Sequence, residues 1–287
     1  MTSFSGAGRD VIADLLEAVA FCSPGEPLSR TAAQGLCHDH FAVSHDEVTD
    51  AFAVLNTRRE RLNALYPFNT AATFIVYEGS ADSDLYMALN LVSPQGLARE
   101  VKGWALDTSA KLFEFLAERC LSDFFGENTE TVNFGHPSEV GRPSEFDHAV
   151  RWLGARAGIK IGAAYRPPRR KDGGVDIFVW KRFDDSFPGV PLLMVQCTIM
   201  KDYLNKIGDI DIPLWSAWLS SDINPLAAIA LPIFVTNKAE WDEIATRGIM
   251  LDRGRLVSMN ASNTVEMPLK YKNYVNLVRT HMSELIK

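Results

Sequence analysis

The chain opens with helical periodicity. Residues 9–21 place Val11, Ile12, Leu15, Leu16 and Val19 three and four apart, which predicts an amphipathic helix. "SPGEPLS" breaks it. Ser29 then reads as the N-cap of a second helix, "RTAAQGLCHDHF", and Ser44 with Glu47 as the capping box of a third, running through "EVTDAFAVLNTRRERL". Two extended runs follow, "ATFIVYEG" and "LYMALNLVS", and their separation by "SADSD" predicts a β-hairpin. Three helices and a hairpin are the order of a winged helix-turn-helix, whose third helix enters the major groove.

Helical spacing returns over residues 108–125, where Leu112, Phe115, Leu116, Cys120 and Leu121 share a side. The polar stretch 126–143, with its glycines and prolines, reads as a linker. Beyond it Ser144 and Gly158 bracket a helix, "SEFDHAVRWLGARAG". The strands "GGVDIFVW" and "VPLLMVQCT" come next, then a polar, aromatic segment around "PLWSAWLSS". A strand "AAIALPIFVT", a short helix around "AEWDEIATR", a strand "GIMLDRGRLVSM" and a last helix "LKYKNYVNLVRTHMSELI" complete the pattern. This is an α/β (α+β) chain with a mixed sheet flanked by helices. The expected division is a helical, winged-helix-like module over 1–95, a connecting helix and linker over 96–138, and an α/β domain over 139–287.

Composition narrows the class. At 47% hydrophobic and 23% charged, the 287 residues are those of an ordinary globular protein. The longest apolar run, "LAAIALPIFV", is half of the roughly 20 residues that span a membrane. The N-terminus has no basic region followed by an apolar run, so no signal peptide is expected. Four scattered cysteines without a C-x-x-C pattern suggest reduced thiols and a cytoplasmic setting. A net charge of −7 is wrong for a nucleic-acid coat protein, but a local basic patch suffices for a nucleic-acid enzyme. Two such clusters exist: "RRER", with Arg58 and Arg59, and "RPPRRK", with Arg166, Arg169, Arg170 and Lys171.

Candidate chemistry begins with Asp176, an acid set in an apolar strand and costly to bury without a partner. In a hairpin turning at Ser186, opposed residues have numbers adding to a constant, and that constant pairs Asp176 with Gln196, about 5 Å apart at Cβ. Thr198 shares the face of Gln196. Glu145, on the preceding helix, supplies a second carboxylate. Carboxylate and amide oxygens of this kind suit Mg²⁺. "CHDHFAVSH" holds Cys37, His38, His40 and His45, but His38 and His40 project to different sides of a helix, so it reads as structural and not as a zinc site. Trp215 and Trp218 read as core residues, with base stacking the alternative.

The stretch "KDGGVDIFVWKRFDDSFPGVPLLMVQCTIMKD" resembles the core of restriction-endonuclease-like nucleases, the PD-(D/E)XK superfamily. Their pattern is a helix with an acid, a strand carrying Asp after a Gly-rich turn, and a next strand carrying Glu/Gln-x-Lys. The resemblance implies a Mg²⁺- or Mn²⁺-dependent endonuclease acting on DNA, with RNA an alternative, in bacterial antiviral defence or restriction. It also allows a protein partner or activator, or a homo-oligomer. By the same resemblance Asp176, Glu145, Gln196 and the Cys197 carbonyl would bind metal. The lysine expected two residues after Gln196 is Thr198 here. Lys201 or Lys206 would have to replace it; without either, the domain would be an inactive relative that binds nucleic acid or serves assembly. "RPPRRK", directly before the Asp176 strand, would contact phosphates.

Overall fold

The elements run α1 (Arg9–Cys22), β1 (Leu28–Ser29), α2 (Arg30–Phe41), α3 (His45–Leu62), β2 (Phe68–Ala71), β3 (Phe74–Tyr77), α4 (Leu85–Leu91), α5 (Leu106–Phe125) and β4 (Thr129–Asn133). They continue with α6 (Phe146–Ala157), β5 (Ile177–Lys181), β6 (Leu192–Cys197), α7 (Ile212–Leu219), β7 (Leu226–Ala230), α8 (Lys238–Ala245), β8 (Ile249–Leu251), α9 (Arg253–Met259) and α10 (Leu269–Leu285). This computed structural model describes residues 3–4, 6–80, 84–135, 141–163, 172–183, 185, 189–220 and 223–287. No helix among them is long and apolar enough to cross a membrane.

The chain parts into two units: Met1–Phe113 with Pro232–Thr236 and Arg253–Lys287, and Glu114–Leu231 with Asn237–Asp252. That is not the three-part division expected from the sequence. The last helix, α10, belongs to the first unit, where it packs on α1.

In the first unit Ser29 Oγ accepts from Ala32 N, and Ser44 and Glu47 form the reciprocal capping box. The strands make an antiparallel sheet in the order β1-β3-β2. The hairpin is β2 with β3, joined by a two-residue turn. "LYMALNL", expected as its second strand, is the helix α4 instead. Asp84 caps it, accepting from Met87 N at 2.9 Å, and all seven of its residues are buried. A short helix buried on every side shows no 3.6-residue apolar stripe, so its pattern resembles a buried strand.

A charged network fills the centre of this unit. Arg253 grips Asp14 with Nη1 on Oδ1 and Nη2 on Oδ2, both at 2.9 Å, and Arg58 Nη1 lies 2.7 Å from Asp14 and 2.9 Å from Glu17. Tyr66 and Tyr86 donate their hydroxyls to Glu17 at 2.7 Å, and Asn90 donates at 3.0 Å. Two cations face two anions, and their side chains are at most 2% exposed. Burial alone would raise the Asp14 pKa; Arg253 and Arg58 outweigh it and hold the carboxyl below its ordinary value.

Asp84 is the opposite case. Burial pushes its carboxyl up to about 6, against the bonds from Met87 N and Tyr77 Oη. A raised carboxylate pKa stabilises the fold fully below 3.8, the unfolded value, and that stability is lost as pH rises through about 6. Asp84→Asn keeps the cap and removes the charge. The variant should be more stable than the parent at pH 7.5, by roughly 3 kcal/mol. The gap should close by pH 4; urea melts at the two pH values measure it.

The second unit is built on a five-stranded sheet, β4-β5-β6-β7-β8, flanked by helices. The first three strands are antiparallel and the last three parallel. The expected linker 126–143 contributes β4, an edge strand of this sheet. Its Thr131 and Asn133 lie on one face and bond to Glu118 and Glu114, one helical turn apart on α5. Alternation of Thr, Asn and Glu in this strand looks like loop composition because the partners it faces are polar. "GIMLDRGRLVSM" is a strand only over Ile249–Leu251; from Arg253 it is helical. Trp215 and Trp218 are buried among Phe134, Phe146 and Phe178, as core residues.

Candidate active site

Two glycines shape the approach to Asp176. Gly173 has φ +64°, and a β-carbon on it would lie 2.6 Å from the Trp215 ring. Gly174 has φ +80°, and a β-carbon there would lie 2.3 Å from the Asp209 carbonyl oxygen. Positive φ and close packing together demand glycine at both positions. Asp172 Oδ1 accepts from Gly174 N at 2.9 Å and closes the turn. The chain then enters β5 with Asp176 immediately before its first residue.

The hairpin register is the one expected: Ile177 pairs with Val195 and Phe178 with Met194, which brings Asp176 opposite Gln196. Asp176 N donates to Val195 O, and its carbonyl accepts from Phe134 N at 2.6 Å and Gly135 N at 3.2 Å. Asp176 is 9% exposed as a residue, and its carboxylate is anchored through Oδ2, which accepts from Gln196 Nε2 at 2.9 Å and Cys197 N at 2.7 Å. Because a carboxylate only accepts, the Gln196 amide turns its nitrogen to it. Gln196 Oε1 is left buried with no hydrogen-bond partner among the described residues.

The second carboxylate is Glu114 of α5. Sequence reasoning missed it and named Glu145. Glu145 is instead the exposed N-cap residue of α6, whose buried residues Ala149, Val150 and Leu153 form the packing face of that helix. Glu114 is 8% exposed, and its Oε2 accepts from Asn133 Nδ2 at 2.9 Å. Gly135 marks where it meets Asp176. A β-carbon on Gly135 would lie 3.5 Å from Asp176 Oδ1, 3.6 Å from Glu114 Oε2 and 3.5 Å from Asn133 Oδ1. Three oxygens thus converge within 3.6 Å of the point that a side chain at Gly135 would occupy, a recess lined by Asp176, Glu114 and Asn133. The available signal was the charge of Glu114 within the apolar run "KLFEFLAERCL".

Among the described residues no group of three or more His, Cys, Asp and Glu side chains could hold a metal. Two carboxylates and an unpartnered amide oxygen nevertheless match what Mg²⁺ asks of a protein, which is few carboxylates with waters and substrate phosphate completing the shell. The donor set fits a hard cation.

The remaining candidates are dispersed. Thr198 Oγ1 accepts from Met200 N at 3.1 Å, so the hydroxyl closes a turn after β6. Lys201 is exposed just past that turn. Lys206 lies 3.8 Å from Asp209, whose carbonyl touches Gly174, so it is held beside the turn leading to Asp176. Arg166, Arg169, Arg170 and Lys171 lie outside the described residues. Arg58 cannot contact nucleic acid: it is 2% exposed and belongs to the buried network. Arg59 donates to the Thr70 carbonyl, and Arg61 sits over the Phe234 ring. The outward positions of α3 carry Asp46, Asp50 and Glu60 beside Arg59 and Arg61, which is no basic stripe for a major groove.

No family model, curated protein or solved structure matches the chain.

Proposed function

We propose that the second unit is a metal-dependent nuclease core of restriction-endonuclease-like architecture that hydrolyses DNA phosphodiester bonds. One observation carries the reading. Asp176 and Glu114 present oxygens to one recess, and Gln196, bonded to Asp176, keeps a buried carbonyl oxygen without a partner. The order of elements supports it, with α6 inserted after the first strand: a helix carrying an acid, three strands in an antiparallel run with Asp after a Gly-Gly turn at the second, then a helix and a parallel strand. Glu114 takes the place that the resemblance gave to Glu145.

Asp176, Glu114 and Gln196 Oε1, with the Cys197 carbonyl, would hold Mg²⁺ or Mn²⁺, which supplies Lewis acidity and a water of lowered pKa. The two donors on Asp176 Oδ2, Gln196 Nε2 and Cys197 N, fix the orientation of its carboxylate. Gly135 leaves the recess open. Lys201, exposed after β6, or Lys206, paired with Asp209, would orient a water and balance developing negative charge.

Thr198 favours a second reading, an inactive relative that binds nucleic acid or serves assembly, because its hydroxyl is committed to a turn. The first unit has the helix and strand order of a winged helix, and the acids on α3 suit partner binding better than groove entry. A setting in bacterial defence or restriction rests on the resemblance.

The test is cutting of plasmid and oligonucleotides with Mg²⁺, Mn²⁺ or EDTA. Metal-dependent cutting should vanish in Asp176→Ala and fall at least about 100-fold in Glu114→Gln. Glu145→Gln should cut like the parent. Equal cutting by parent and Asp176→Ala sinks the site, and binding without cutting selects the second reading.

A further inference from the structure

Residues 148–171 contain seven Lys and Arg and no Asp or Glu, in a chain of net charge −7. The described part of this tract is α6 and the residues after it. On α6, Ala149, Val150, Leu153, Gly154 and Ala157 are buried, which turns Arg151, Arg156 and half-buried Trp152 toward solvent. Lys160 is exposed just beyond the helix. The fold adds a cation from elsewhere. Arg182, following β5, donates to the Arg156 carbonyl at the C-terminal turn of α6.

Charge on this face is only partly balanced. Arg151 pairs with Asp147, and Arg182 with Glu130, with side chains 62% and 46% exposed respectively. Arg156 and Lys160 have no ion pair among the described residues. Aromatic surface accompanies them. The Arg156 guanidinium lies 5.3 Å from the Trp152 ring centroid, and Phe183, next to Arg182, is 58% exposed. Guanidinium groups beside exposed rings bind a strand twice over, by phosphate contact and by stacking on unpaired bases.

We propose that the outer face of α6, with Arg182 and Phe183, is a docking surface for a single-stranded nucleic acid. The proposal rests on the nuclease reading for its biological sense and names the substrate as one with an unpaired segment. The surface is separate from the recess. Arg182 follows Asp176 by the length of β5, about 20 Å at 3.3 Å per residue.

The experiment measures binding by the full chain in EDTA, with fluorescein-labelled oligo-dT of roughly 20 nucleotides and a duplex of the same length. The wild type should prefer oligo-dT. Arg156→Glu/Lys160→Glu, changed only at exposed positions, should bind about tenfold more weakly and lose about 1.4 from the log–log salt slope. Phe183→Ala should weaken oligo-dT by about fivefold and the duplex little. Unchanged affinity in the double variant overturns the proposal. So does a wild type that binds no oligonucleotide, or one that polyglutamate or phosphatidylserine vesicles displace as readily as oligo-dT. The two readings fail separately. Binding through this face without cutting refutes the nuclease alone, and cutting by a double variant of unchanged affinity refutes the docking surface alone.

Discussion

Arg253→Ala should lower the stability of the first unit by about 3–5 kcal/mol. Arg253 is fully buried and makes three kinds of bond. It holds both oxygens of Asp14, reaches Glu17 at 3.3 Å, and donates Nε to the Pro232 carbonyl at 2.8 Å. Removing it leaves Asp14 and Glu17 facing Arg58 alone, with one carboxylate uncompensated where water does not reach. An unpaired buried charge costs more than the pair contributed, because the ionised group keeps its desolvation cost and loses its attraction. Arg253→Lys should recover only part of the loss, since an ammonium cannot grip Asp14 through two parallel bonds. Arg253→Met with Asp14→Asn should cost less than the two single changes added together, because removing both partners leaves no orphan. Urea melts of the parent and these five variants measure it. A loss in Arg253→Ala below about 1 kcal/mol would mean that the network contributes little.

Gly135→Ala should abolish metal-dependent cutting while leaving the fold intact. Gly135 is not among the positive-φ positions, and the three oxygens around an added β-carbon lie at ordinary contact distances of 3.5–3.6 Å. The alanine therefore fits, and by restricting the unfolded chain it should change stability by about +0.4 to +1 kcal/mol. The added methyl occupies the recess between Asp176 Oδ1 and Glu114 Oε2, and an apolar group there excludes a hydrated cation. Mn²⁺ affinity, read by titration calorimetry, should fall on the order of 100-fold, and plasmid cutting with it. Retained Mn²⁺ affinity at unchanged melting temperature would move the ion's seat out of this recess.

Much of this is legible in the sequence. The caps at Ser29 and Ser44 are local chemistry, and they set the starts of α2 and α3. The register of β5 on β6 followed from alternation and pairing geometry, so Asp176 and Gln196 could be joined from the sequence. Gly173 and Gly174 read as the start of a strand; a Gly-rich turn before Asp176 comes only from the resemblance, and neither shows that Trp215 and Asp209 press against it.

Other features were not legible. Glu145 was named for its place on the helix nearest in sequence, whereas Glu114 reaches the recess from α5, 62 residues before Asp176. Arg58 and Arg59 looked like one basic cluster, yet adjacent helical residues point about 100° apart, so one is buried and the other exposed. The β4 strand was hidden by polar residues whose partners, Glu114 and Glu118, lie on another element. Arg253 carries no local sign that its partner is Asp14.

The sequence by itself determined the elements with local causes: the helix caps, the β5–β6 hairpin register and the pairing of Asp176 with Gln196. Only the tertiary structure decided which carboxylate faces Asp176, which arginines are buried with acids, and where exposed cations gather on α6. The reason is physical. Caps, turns and strand alternation act between residues a few positions apart, whereas burial and charge pairing depend on which distant segments meet, and no local pattern encodes that.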